Sequence, residues 1–136
     1  MNVLVDTCVW SRFLRQGAAL HDAVALELQQ LIRADAVQII GPIRQELLSG
    51  VHPEARFDRL KEYLRHYPNL PLDEDDDECA AEFYNDCRHH GIQATSTDLL
   101  MCAVSVRHSL RIYSIDTDFG RYAQHLPIRL HRTRPG

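Results

Sequence analysis

Short apolar runs alternate along the chain with longer stretches whose apolar residues recur at helical spacing. Residues 2–5 read as a strand, and residues 9–16 and 19–34 as helices, the second with Leu20, Val24, Leu28, Leu31 and Ile32 on one stripe. Residues 37–40 form a β-rich run closed by Gly41-Pro42, and Pro suits the first turn of a helix, where its missing N–H is not needed. The following helix covers 43–49 and stops at Gly50; His52-Pro53 opens another that carries Phe57, Leu60 and Leu64 to about Tyr67. Pro68 and Pro71 bracket a short extended piece over 69–72. The acidic run 73–78 reads as a second cation site or as the start of a helix over 75–90. The helix start is favoured, because carboxylates stabilise the positive end of the helix dipole. Gly91 closes that helix. Thr95 or Ser96 begins another over 97–109, apolar nearly all round and therefore buried. Residues 111–114 read as a strand, 118–124 as a short helix and 128–130 as a last strand.

Strands separated by helical segments of this length predict an α/β fold: a central parallel sheet of four to five strands flanked by helices on both faces. No linker or repeat divides residues 1–136, so a single domain is expected. Ligands in such sheets bind beyond the carboxyl ends of the strands. Asp6 and Asp116 fall there, after the first and fourth predicted strands.

An apolar content of 45% over 136 residues supports one ordinary core, and 25% charged residues argues against disorder. The N-terminus lacks a basic region and an apolar leader, and no run has the length of a membrane span, so a cytoplasmic protein without membrane contact is expected. Cys8, Cys79, Cys87 and Cys102 lack C-x-x-C spacing and read as free thiols. Charge is unevenly placed: residues 119–136 carry +4 through Arg121, Arg129, Arg132 and Arg134, whereas residues 1–118 carry −8. Of 15 basic residues only Lys61 is lysine, and the planar guanidinium of arginine matches phosphate oxygens.

Four acids, Asp6, Glu46, Asp98 and Asp116, stand at apolar-to-polar junctions far apart in the chain. If the fold gathers them, their mutual repulsion calls for a divalent cation, and oxygen donors suit Mg²⁺ or Mn²⁺. Asp6, Asp98 and Asp116 suit direct ligation, and Glu46, on a longer stem, ligation or water holding. Asp118 reads as a further ligand or as the N-cap of its helix, with the cap favoured. Thr7 and Ser114 carry hydroxyls close enough in sequence to orient carboxylates or water.

The segments Val3-Leu4-Val5-Asp6-Thr7, Glu46-Leu47-Leu48-Ser49-Gly50, Gly91-Ile92 with Asp98-Leu99-Leu100-Met101-Cys102-Ala103, and Tyr113-Ser114-Ile115-Asp116-Thr117-Asp118-Phe119, in that order, resemble the PIN domain. In size the chain looks most like the VapC-type ribonuclease toxins of bacterial toxin–antitoxin pairs. The resemblance covers residues 2 to about 124. It implies a PIN-like fold and Mg²⁺- or Mn²⁺-dependent endonucleolytic cleavage of RNA, leaving 5′-phosphate and 3′-hydroxyl ends. It also implies a homodimer and a small VapB-like antitoxin partner that covers the acidic pocket. Carried over by position, Asp6, Glu46, Asp98 and Asp116 form the catalytic acidic set, with Asp6, Asp98, Asp116 and Asp118 as metal ligands. Arg12, Arg15 and Arg121 are expected RNA contacts. The family pattern commonly has Ile-Ala-Ala soon after the third acid; Leu99-Leu100-Met101-Cys102-Ala103 departs from it, so local helix packing is expected to differ.

Other classes fit less well. Haloacid-dehalogenase-like phosphatases also open on a strand ending in Asp, but Cys8 stands where their second acid belongs, and Lys61, the only lysine, lies mid-helix. A phospho-receiver domain also requires a lysine, and that reading fails for the same want of one. A PIN-like module that binds RNA or a partner without cutting, and a nuclease directed at DNA, are the alternatives the sequence leaves.

Overall fold

The computed structural model describes residues 2–15 and 21–133. Strand β1 (Val3–Val5) is buried along its whole length, as befits a strand covered on both faces. It pairs in parallel with β2 (Val37–Gln38), Val3 opposite Val37, and with β3 (Arg111–Tyr113), Val5 opposite Tyr113, giving the order β2-β1-β3. Helices α1 (Thr7–Leu14) and α2 (Ala23–Arg33) lie between β1 and β2. Helices α3 (Gly41–Leu48), α4 (Glu54–Leu64), α5 (Glu74–His89) and α6 (Ser96–Arg107) separate β2 from β3, and α7 (Asp118–Tyr122) follows β3.

The sheet has three strands among the described residues, not the four to five expected. Both missing strands survive as single parallel bridges at its edges, Ile39 with Asn69 and Ile112 with Leu130. At the first edge the Leu70 amide donates to the Ile39 carbonyl at 2.8 Å, but Pro68 and Pro71 have no N–H to extend the ladder. At the other, residues 129–131 straddle Ile112 alone: Ile112 donates to the Arg129 carbonyl at 2.9 Å and His131 to the Ile112 carbonyl at 2.8 Å.

Helices α1, α2, α5 and α6 start at side-chain caps. Asp6 accepts from the Thr7 amide, so α1 begins two residues before the expected 9. Asp22 accepts from the Val24 amide and starts α2 at Ala23; Leu20, expected on its stripe, lies outside the described residues. The acidic run resolves into a capping box: Asp73 accepts from the Asp76 amide at 3.2 Å while Asp76 accepts from the Asp73 amide at 2.9 Å. It therefore starts α5, as the dipole argument favoured. Gly91 follows the end of α5 at φ +71°, a left-handed conformation that suits a residue without Cβ.

Helix α6 buries Leu99, Met101, Cys102, Ala103 and Val104, in line with its all-round apolar sequence, and packs along α5. Leu4, Ile39, Ile40, Ile43 and Ile112 are fully buried between the helical layers. Burial of one such aliphatic side chain contributes about 1.5–3 kcal/mol. Helix α4 ends at Leu64 rather than Tyr67. Beyond it Arg44 clamps the chain, donating to the carbonyls of Leu64 (2.9 Å) and Tyr67 and to the side chain of Asn69 (2.8 Å). All four cysteines are free thiols. No helix among the described residues is long and apolar enough to cross a membrane.

Candidate functional site

Register builds the site. Because Val5 lies opposite Tyr113 in parallel strands, the residues after them, Asp6 and Ser114, emerge side by side at the carboxyl edge. Ser114 donates its hydroxyl to Asp6 Oδ2 at 2.8 Å and accepts from the Asp116 amide at 3.0 Å. Asp6 Oδ1 accepts from the Thr7 amide at 2.8 Å, so one carboxylate caps α1 and ties β1 to the loop after β3. Thr7 Oγ1 reaches across to α3 and donates to Glu46 Oε2 at 3.1 Å. Asp98 is placed by the first turn of α6, where Thr95 Oγ1 accepts from its amide at 3.1 Å.

Asp6, Glu46, Asp98, Asp116 and Asp118 line one cleft of about 470 Å³, together with Thr7, Cys8, Thr95 and Thr97. Asp98, Asp116 and Asp118 each present a carboxylate oxygen within 4.8 Å of the others. That all-oxygen donor set fits a hard divalent cation, which takes carboxylates and retains water. Asp6 is outside this trio, and both of its oxygens already accept hydrogen bonds.

Asp118 does not cap its helix, contrary to the favoured expectation. Thr117 occupies the N-cap position without a side-chain bond, and Asp118 is the first helical residue. Its amide donates to Asp116 Oδ1 at 2.9 Å, which leaves its own carboxylate for the cleft and for Arg121 at 2.7 Å. Electrostatics single out Asp98. Burial pushes its carboxyl above the usual range, a hydrogen bond from the Tyr122 phenol opposes the rise, and the charges of Asp6 and Asp116 add to it. Burial likewise raises the Cys8 thiol, which lies 3.5 Å from both Asp6 Oδ2 and Ser114 Oγ. A raised pKa keeps it a neutral thiol beside the carboxylates.

The PIN domain family model matches residues 3–124. The chain belongs to the PIN-domain family. It is 31% identical over 121 residues to VapC ribonuclease Mb1587 of Mycobacterium bovis, a match covering 86% of this chain and 88% of that protein. FitAcB from Neisseria gonorrhoeae superposes with a TM-score of 0.77 at 23% identity, covering 96% of this chain and 97% of that one. VapBC-5 of Mycobacterium tuberculosis, described as a member of the VapBC family of toxin–antitoxin systems, gives 0.68 at 20% identity, covering 97% and 99%. At these identities the two structural likenesses bear on the fold alone.

Several residues in or next to this PIN domain's acidic cleft are not singled out by the sequence. Tyr122 is buried and donates its hydroxyl to Asp98 Oδ2 at 2.8 Å. Its signal was present: a tyrosine one helical turn after Asp118, in a helix that must bury Phe119, needs a partner for its hydroxyl. Thr95 and Thr97, just before Asp98, and Cys8, two residues after Asp6, line the acidic cleft. Conversely, Arg12 and Arg15 are not among the residues lining the acidic cleft. Arg12 is held by Asp22 at 2.6 Å, between α1 and the cap of α2. Arg129 and Arg132 are exposed, and Arg134 lies outside the described residues.

Proposed function

We propose that this PIN domain is a Mg²⁺- or Mn²⁺-dependent endoribonuclease that serves as the toxin of a toxin–antitoxin pair. The observation carrying this reading is the convergence of Asp98, Asp116 and Asp118 in a cleft also lined by Asp6 and Glu46. Its support from relatives is the 31% identity to a VapC ribonuclease. Asp98, Asp116 and Asp118 would hold the cation, with Asp6 completing the acidic wall. With the cation bound, the site gains Lewis-acid activation of water and charge neutralisation at the phosphodiester.

The remaining chemistry belongs to the chain. Ser114 and the Thr7 amide hold both oxygens of Asp6, so its carboxylate keeps one orientation toward the cleft. Thr7 Oγ1 holds Glu46 through one oxygen and leaves the other to accept a proton from water in the cleft. The Tyr122 phenol favours the charged form of Asp98, the form that binds cations. The same reading assigns a VapB-like antitoxin as the partner, a homodimer as the assembly and the cytoplasm as the location.

Incubating the purified protein with end-labelled RNA tests the reading. Mn²⁺-dependent shortening is expected, abolished by EDTA and by Asp98→Asn or Asp6→Asn with the fold intact. RNA shifted but never shortened makes the protein a binding module, and cleavage undiminished in EDTA removes the metal mechanism.

A further inference from the structure

We propose that a second cleft, beside the acidic one, seats the nucleotides flanking the scissile phosphate of a single-stranded RNA, with Arg88 and Arg121 on its phosphates and Tyr84 under a base. The proposal rests on the ribonuclease reading, keeps Arg121 as the RNA contact expected from the sequence, and adds Arg88, Tyr84 and Gln93. The cleft holds about 620 Å³ between the end of α5, the segment before α6, and α7. That volume lies within the range of small-molecule and cofactor pockets. Thr95 and Asp118 line both clefts, so a chain lying in one continues into the other.

Charge selects the occupant. Arg88 and Arg121 line the second cleft, and its single acid, Asp118, already accepts from Arg121 at 2.7 Å. The Arg88 charge is therefore not offset by a second lining acid, in a chain of net charge −4 whose neighbouring cleft is lined by five carboxylates. Those carboxylates repel a polyanion, and a guanidinium at their border offers a phosphate a favourable approach. An occupant spanning both clefts must present anions to the arginines and work beside a cation in the acidic cleft. A phosphodiester chain meets both demands.

The aromatic component makes the site one for unpaired bases. Tyr84 is 37% exposed, and the only other exposed large hydrophobics among the described residues are Leu26 and Ile115. It stands four residues before Arg88 on α5, so ring and guanidinium share one helix face. A ring so placed can stack a splayed base, which a duplex keeps inside its own stack. Gln93 adds an exposed amide on the same lining, able to pair with a base edge.

Anisotropy titrations of a labelled single-stranded RNA on the Asp98→Asn protein test the proposal. In that background R88A and Y84A are expected to weaken binding about fivefold to tenfold. R88A also lowers the slope of log affinity against log salt by about 0.7, the value for one phosphate contact. In the otherwise native protein both substitutions raise KM more than they lower kcat. The control R59A, an exposed arginine on α4, leaves affinity and slope unchanged. Equal affinity and slope for R88A, Y84A and R59A overturn the subsite while RNA cleavage by the native protein stands. No cleavage by the native protein with Mn²⁺ overturns the ribonuclease reading instead. Lost binding of a co-purified antitoxin in R88A or Y84A, with RNA affinity intact, makes the cleft a protein-docking site and also overturns the proposal.

Discussion

The buried phenol of Tyr122 donates to Asp98 Oδ2 at 2.8 Å, joining α7 to the acidic residue in the first turn of α6. Burial raises the Asp98 carboxyl, and this bond is the largest influence opposing the rise. Removing the hydroxyl by Tyr122→Phe is expected to raise the Asp98 pKa further. The acid limb of the pH–rate profile in Mn²⁺ then moves to higher pH. Stability falls by about 1.5–3 kcal/mol, the range for a hydrogen bond to a charged group. A pH–rate profile superimposable on the native one would falsify a role for Tyr122 in holding Asp98 ionised.

Thr7 serves two acids at once, capping through its amide on Asp6 and donating its hydroxyl to Glu46 at 3.1 Å. Thr7→Val keeps the amide and the shape but releases Glu46. Activity should fall about tenfold, as for loss of a residue that orients a metal-site ligand, with the unfolding midpoint in urea almost unmoved. Thr7→Ser, which restores a hydroxyl, should recover most of that loss. A Val variant as active as the native protein removes Thr7 from the mechanism.

Asp76 provides the pH dependence of folding. Burial alone would raise its carboxyl, but the Asp73 amide and the hydrogen bonds from Arg107 and His108 outweigh it and hold the carboxyl below its ordinary range. The unfolded state therefore binds the proton more tightly, so this contribution is present above the ordinary aspartate pKa and is lost as pH falls through the lowered one. Urea unfolding in EDTA should show stability declining in the acid range, with a shallower decline in Asp76→Asn. Parallel curves for the two proteins contradict the assignment.

Arg44 joins α3 to the edge of the sheet through three acceptors, the Leu64 and Tyr67 carbonyls and the Asn69 side chain. Lysine cannot reproduce that planar fork. Arg44→Lys is predicted to cost about 2 kcal/mol and to speed hydrogen exchange at the Leu70 amide, the one that bridges to Ile39. Exchange at Leu70 unchanged relative to β1 amides would show that the clamp does not hold the edge.

How far the site was legible follows the range of each interaction. Asp6 and Asp116 line the cleft where the sequence puts them, because a strand end is a local property and a parallel sheet opens its crevice there. The fate of the 73–78 run was also local: a reciprocal Asp73–Asp76 cap needs only three residues of separation. Of the two readings of Asp118, the cap fails because capping depends on backbone dihedrals, and Thr117 is helical, with φ −64° and ψ −18°, rather than extended as a cap residue is. Two edge strands were overestimated because apolar composition does not show that prolines leave one ladder, and a single-residue straddle the other, only a bridge wide.

The sequence by itself determined the element order, the parallel sheet, the positions of the strand-end acids and the family, because each is written in short-range patterning or in motif order. Only the tertiary structure decided which carboxylates bring oxygens within 4.8 Å of one another, that Tyr122 and Thr7 serve Asp98 and Glu46, and that Arg12 is taken by Asp22. Thr7 and Glu46 are 39 residues apart, and Asp6 and Ser114 are 108 apart. Contacts at such separations are set by how the helices pack and how the strands register, which no local spacing of residue types encodes.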